Sequence, residues 1–184
     1  MIKAEKMLGV DLIYINETRG NVVIVQYKKL KEGKQQGGNQ DWTFSPDPQL
    51  RKEIARMKIP DIQAAPTDYR LSRNPFFFKF VKRKTLDDSH LSFLVSLDHL
   101  NHILASTAAK GPKGGVRMSY DALNGTYLRE ADMIGLIRSG YVGTHSAETI
   151  ALATIIDTVA KGNKETLKND PISLFSPSES VFLT

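Results

Sequence analysis

The sequence predicts an α/β fold: a small mixed β-sheet with a flanking helix, followed by a mostly helical C-terminal half. Three observations carry this. VDLIYI (10–15) and VVIVQY (22–27) are runs of β-branched and aromatic residues around the polar segment NETRGN, which is a hairpin pattern. DPQLRKEIARMK (47–58) combines helix-start residues with apolar side chains at helical spacing. Past the break GPKGG (111–115), helical periodicity takes over.

Taken in order, the two N-terminal runs are apolar nearly throughout, so both sheet faces are expected to be covered, with Gly20 supplying the turn. KEGKQQGGNQDWTF (31–44) is rich in Gly and Gln and reads as a mobile loop, anchored to the core by Trp42 and Phe44. Asp47 caps the next helix, Pro48 opens it, and Leu50, Ile54 and Met57 share its apolar face until Pro60 and Pro66. NPFFFKFVKRK (74–84) reads as a strand with Phe76, Phe78 and Phe80 on one side, and Phe77 and Lys79 on the other. A turn is expected at Asp87-Asp88, and HLSFLVSLDHLNHIL is helical from about Ser96. Residues 120–139 form one helix through Leu123, Tyr127, Ile134 and Ile137, closed at Ser139-Gly140. Thr144 or Ser146 caps a last helix, through Leu152, Ile155, Ile156 and Val159, before a Ser/Pro-rich tail. The expected organisation is therefore a core over 1–110, a Gly-rich linker over 111–119, a helical hairpin over 120–162 and an irregular tail over 163–184.

Net charge is +5 with 25 basic against 20 acidic residues. The cations cluster at strand ends, Lys28, Lys29, Lys31 and Lys34 after one strand and Lys79, Lys82, Arg83 and Lys84 around another. Two such clusters on neighbouring strands make a phosphate-facing rim, which suits DNA as partner. Gln49, Lys52 and Arg56 share a helix face that either reaches phosphates or is simply solvated. There is no cysteine, no run approaching the roughly 20 apolar residues of a membrane span, and no secretory signature at the N-terminus. The expected setting is cytoplasmic, with no membrane partner.

A tight hairpin brings the start of one strand beside the end of the next. Asp11 heads the first run, and the period of two places Gln26 and Lys28 on one face of the second, with Tyr27 opposite. Phosphodiester hydrolysis needs a divalent cation to polarise the phosphate and acidify a water. Mg²⁺ or Mn²⁺ is the expected cofactor, held by Asp11, the Gln26 amide oxygen and the Tyr27 backbone carbonyl. Lys28 orients the water or stabilises developing charge.

An Asp at a strand start, a turn, and an apolar strand ending in Gln26-Tyr27-Lys28 resembles the PD-(D/E)xK, or restriction-endonuclease-like, nucleases. The QxK form is similar to Mrr-type restriction enzymes and nuclease modules of bacterial defence systems. The resemblance implies an α/β core, Mg²⁺ dependence and DNA cleavage, with Asp11 and Gln26 at the metal and Lys28 as catalytic lysine. It spans roughly residues 8–84, the helix DPQLRKEIARMK and the strand FFFKFVK falling where the family places such elements. Only ten residues precede Asp11, so the core lacks the family's first helix and strand. A longer chain, a homo-oligomer or partner subunit, or a rearranged fold is expected to replace them, and Glu5 is the acid nearest that region.

Two other readings stay open: a catalytically inactive nuclease-like module that binds nucleic acid or a protein, and a non-enzymatic interaction protein working through its helical half. His90, His99 and His102 with Asp98 lack an HExxH-type arrangement and read as ordinary histidines. His145 reads as a loop residue at a helix start, and GPKGG, lacking a phosphate-loop Lys-Ser/Thr, as a linker.

Overall fold

The computed structural model describes residues 11–34, 40–58, 64–72, 74–82, 92–111, 114–146 and 149. Two compact units emerge, Met1–Ile24 with Lys58–Pro75 and Leu136–Thr184, and Val25–Met57 with Phe76–Gly135. The fold is α/β with a mixed sheet, as expected. The first sheet has the order β1 (Leu12–Asn16), β2 (Asn21–Lys29), β5 (Phe76–Val81), β6 (Ser92–Ser96). The second is β3 (Lys31–Lys34), β4 (Gln40–Phe44), β7 (Met118–Ser119).

In the first unit the expected hairpin is present. Gly20 takes φ +59 in its turn, a left-handed conformation that glycine adopts without steric cost. The flanking asparagines carry more than turn propensity. Asn16 and Asn21 are buried, and their amide groups both donate to the Ile137 carbonyl, at 2.8 and 3.2 Å, while Asn21 also reaches the Val142 carbonyl at 2.7 Å. Val22 is then paired by one residue: its N–H donates to the Thr144 hydroxyl, and its carbonyl accepts from the Thr144 N–H, both at 2.9 Å. Gly143 precedes that threonine at φ +105, where a Cβ would lie 2.6 Å from the Val22 carbonyl oxygen. Only glycine permits the approach.

In the second unit β2 and β5 are parallel. Leu30 N–H donates to the Val81 carbonyl at 2.9 Å, and six residues earlier, in the first unit, Ile24 N–H donates to the Pro75 carbonyl at 3.0 Å. Parallel neighbours need a crossover connection, and it runs through the β3–β4 hairpin and α1 (Pro48–Arg56). Asp47 caps α1, its carboxylate accepting from Leu50 N–H at 2.7 Å, with Pro48 at the first turn as expected. β5 is buried along most of its length and pairs antiparallel with β6, Phe80 opposite Phe93. These rings stack at 5.0 Å, and Phe44 adds a third at 5.5 Å from Phe80.

Several expectations need correction. Residues 31–44 are not wholly a loop: β3 and β4 pair antiparallel from Lys31 opposite Thr43 to Lys34 opposite Gln40. The β-prone Trp42 and Thr43 sit in this ladder, Phe44 pairs with Met118 of β7, and residues 35–39 lie outside the described residues. The helix expected from about Ser96 is present: Ser96 caps α2 (Leu97–Ala105), accepting from His99 N–H at 3.1 Å, and Ser92–Ser96 before it is a strand. The single helix expected over 120–139 is two, α3 (Tyr120–Leu123) and α4 (Glu130–Arg138). Asn124 in the left-handed region (φ 45) and Gly125 (φ 80) separate them. Gly140 at φ 75 closes α4, as its sequence predicts. The 83–91 segment with its Asp87-Asp88 turn, Pro60, the helix through Leu152–Val159 and the tail lie outside the described residues, as does Glu5. Among the described residues no helix is long and apolar enough to cross a membrane.

Gly143 and Asn124, both at positive φ, differ sharply in tolerance. Gly143→Ala is expected to cost about 2–3 kcal/mol, from strain and the clash with the Val22 carbonyl. Asn124→Gly is expected to stay within about 0.5 kcal/mol of wild type. Urea denaturation of the two variants measures the contrast.

Candidate active site

β2 is apolar up to Val25 and then presents alternating polar side chains in the second unit. Gln26 is buried and Lys28 is only 11% exposed. An ammonium so placed needs a counter-charge, because desolvation alone costs several kcal/mol. Glu53 of α1 provides it: its carboxylate, 7% exposed, forms an ion pair and hydrogen bond with the Lys28 ammonium. Gln49, one turn earlier, donates to the other Glu53 oxygen at 3.2 Å. The Phe44 ring lies 6.0 Å from the Lys28 ammonium. The Gln26/Lys28 face of β2 is thus the face toward α1, and at Lys28 it gathers an ammonium, a carboxylate and the Gln49 amide.

Tyr27 points the other way, and its ring receives the Lys79 ammonium at 5.3 Å. Lys79 is buried rather than presented on a rim, and pairs with Glu130 at the start of α4 at 3.0 Å. Its charge is spent on holding the sheet face to that helix. Lys82 lies over two rings, Tyr120 at 4.5 Å and Trp42 at 5.7 Å. Lys29 and Lys31 are exposed, as are Gln49, Lys52 and Arg56 on α1. Arg83 and the side chain of Lys34 lie outside the described residues. Asp11 belongs to the first unit, half-buried immediately before β1.

Glu53 is the residue that sequence reasoning missed, although a signal was there. It lies on the same helical face as Leu50, Ile54 and Met57, and a carboxylate within an apolar stripe must meet a cation or a metal.

Among the described residues no group of three or more His, Cys, Asp or Glu could hold a metal ion. The second unit holds two buried carboxylates among the described residues: Asp41, paired with Arg117 at 2.8 Å, and Glu53, which lies toward the strand face that carries Gln26. One carboxylate with neutral oxygens fits Mg²⁺, which keeps several waters and is completed by substrate phosphates. Of the histidines, burial and then His102 push His99 below its usual range, and His90 is outside the described residues.

The first unit has its own polar cluster. Arg70 donates from Nε to the Thr144 carbonyl at 3.1 Å and from Nη2 to the Arg19 carbonyl at 3.3 Å, and pairs with Asp68 at 2.6 Å. Asp68 accepts from Ser146 N–H at 2.7 Å. Burial pushes the Asp68 carboxyl up, but the Ser146 N–H, Arg70, the Ser146 hydroxyl and His145 together hold it below the usual range. The cluster ties residues 68–70 and 144–146 to the hairpin turn. His145 is buried at the helix start, in keeping with its expected loop role.

Compared with known proteins, the chain matches no protein-family profile, no curated protein and no solved structure.

Glu53→Ala strands a buried ammonium and is expected to cost about 3 kcal/mol, whereas the double variant Lys28→Met/Glu53→Leu should recover most of that loss. Urea midpoints report both. Because the Asp68 carboxyl is depressed in the fold, its contribution is present above roughly pH 4 and is lost as pH falls through the folded value. Midpoints measured down to about pH 3 should therefore fall more steeply for wild type than for Asp68→Asn.

Proposed function

We propose that the protein is a metal-dependent endonuclease that hydrolyses DNA phosphodiester bonds. One observation carries this reading: the Lys28–Glu53 pair at the end of β2, where a strand and a helix bring an ammonium and a carboxylate together on the strand face that also carries the buried Gln26. Hydrolysis of a phosphodiester asks for those three groups. The acid that the QxK pattern lacks in its strand is supplied from α1 by Glu53.

Glu53 and the Gln26 amide oxygen, with the Tyr27 backbone carbonyl, are the ligands available to Mg²⁺ or Mn²⁺ in the second unit. When bound, the cation polarises the phosphate and lowers the pKa of a water. Lys28 meets the charge that develops on the phosphoryl oxygens or orients the attacking water. Glu53 also holds the Lys28 ammonium at the strand end in the free protein. Lys29, Lys31, Lys52 and Arg56 are exposed cations for the DNA backbone, and their contribution weakens with salt. Asp11, the metal ligand that the resemblance implies, stands in the first unit and is tested separately.

The same ion pair favours one rival. If Lys28 and Glu53 serve only to neutralise each other inside the fold, the protein is an inactive nuclease-like module that binds nucleic acid without cutting it.

Cleavage of plasmid and single-stranded DNA in Mg²⁺, Mn²⁺ or EDTA separates the two. Metal-dependent cutting that falls about 100-fold or more in Lys28→Ala and Glu53→Gln is the expected result. Asp11→Asn should lower it comparably if the resemblance holds at that residue. Cutting that persists in Lys28→Ala would overturn the site, and binding without cutting by folded wild type would establish the inactive module.

A further inference from the structure

Phe93 is fully buried, and two tyrosines stand on it, Tyr120 edge-on at 4.6 Å and Tyr127 at 5.7 Å. The tyrosines also meet each other edge to face at 5.6 Å. Three mutual ring contacts fix both planes, so little rotamer entropy is lost when a ligand settles against them. Beside them opens a shallow cavity of about 390 Å³, lined by Tyr120, Asp121, Asn124, Gly125 and Tyr127. That lies within the range of small-molecule sites, about 300–1,000 Å³. Its wall at Gly125 is open, with nothing within 4 Å of the place a Cβ would take.

The electrostatics select the occupant. An aromatic cavity alone would favour a cation, but a cation already rests on one of its lining rings: the Lys82 ammonium lies 4.5 Å from the Tyr120 ring centre and 5.7 Å from that of Trp42. A second positive charge is repelled and an anion attracted. Asp121 and Asn124, both exposed, give the lining a carboxylate and an amide, whose oxygens accept from N–H groups. A flat ring with N–H groups on its edge and an anion attached is a nucleotide.

We propose that this cavity is a nucleotide-stacking site, in which one unstacked base lies against Tyr120 and Tyr127 and its phosphate takes the Lys82 ammonium. The base edge faces Asp121 and Asn124, away from Lys82, because a phosphate beside the Asp121 carboxylate would be repelled. Lys82 exchanges its contact with the rings for a phosphate, while the base takes the ring face. Duplex DNA hides its base faces in the stack, so the occupant is single-stranded nucleic acid or a free nucleotide, the shared chemistry being one base with its phosphate. The inference goes beyond the cleavage reading and stands whether or not the protein cuts DNA.

Trp42 is the single tryptophan of the chain and shares Lys82 with Tyr120, so its fluorescence reports on the site. Full-length protein would be titrated in EDTA, where metal-dependent cleavage is absent, with single-stranded oligothymidylate of about twenty nucleotides, a duplex of equal length, and thymidine monophosphate. Saturable quenching by the single strand is expected, with affinity about 10-fold lower in Lys82→Gln and in Tyr120→Leu. Quenching by the monophosphate at similar concentrations would assign the site to free nucleotides, and quenching by the strand alone to single-stranded nucleic acid; both support the proposal. Lys82 follows the end of β5 and is half-buried, so Lys82→Gln, which removes the charge and keeps the length of the stem within two carbons, tests the site even if Tyr120→Leu does not fold. Unchanged affinity in Lys82→Gln, equal binding of duplex and single strand, or no quenching by any of the three probes would overturn it.

Discussion

Every polar side chain on the buried central strands has to meet a partner, and that requirement shapes the second unit. β2 carries Gln26 and Lys28 out of an apolar run, and β5 carries Lys79 between buried phenylalanines. An ammonium inside a sheet is tolerated only with its counter-charge at hand. Two helices bring one each: α1 lays Glu53 against Lys28, and α4 begins with Glu130 against Lys79. Because Lys28 and Tyr27 face opposite ways, the two ion pairs lie on opposite faces of the sheet. Each fixes a helix in register where apolar packing alone would allow it to slide.

The first unit solves a similar problem with amides. A hairpin turn placed against a loop leaves backbone carbonyls without strand partners. Asn21 satisfies that of Val142, Asn16 and Asn21 add to the Gly140 N–H at the Ile137 carbonyl, and Thr144 pairs both backbone groups of Val22. Buried backbone groups left unpaired would cost about 1–3 kcal/mol each, so these side chains do the work of a missing strand. The proposed chemistry of the second unit draws on the opposite property. An ion pair that is satisfied but reachable from a strand end can exchange one partner for a substrate phosphate.

Local signals were read correctly wherever the physics was local. The hairpin with Gly20, the Asp47-Pro48 helix start, the Ser96 start of α2, the FFFKFV strand and the Gly140 stop each depend on residues within one or two turns. Reading failed where a local signal was diluted or outvoted. The Gly and Gln residues among positions 33–40 outweighed the β-prone Trp42 and Thr43 and concealed the β3–β4 ladder. Helical spacing from Leu123 to Ile137 concealed the break, although Asn124-Gly125 is a turn dipeptide in its own right.

At the candidate site, the sequence by itself determined that Gln26 and Lys28 share a face at the end of an apolar strand, since side-chain alternation along a strand admits nothing else. It also determined the basic balance and the aromatic residues available for stacking. Tertiary structure alone decided that Glu53 meets Lys28, that Lys79 is withdrawn into a pair with Glu130, and that Lys82 rests on Trp42 and Tyr120. These contacts join residues 25 to 51 positions apart along the chain in the first two cases. The spacing of residues sets which way a side chain points from its own element, but the packing of elements sets what it meets there.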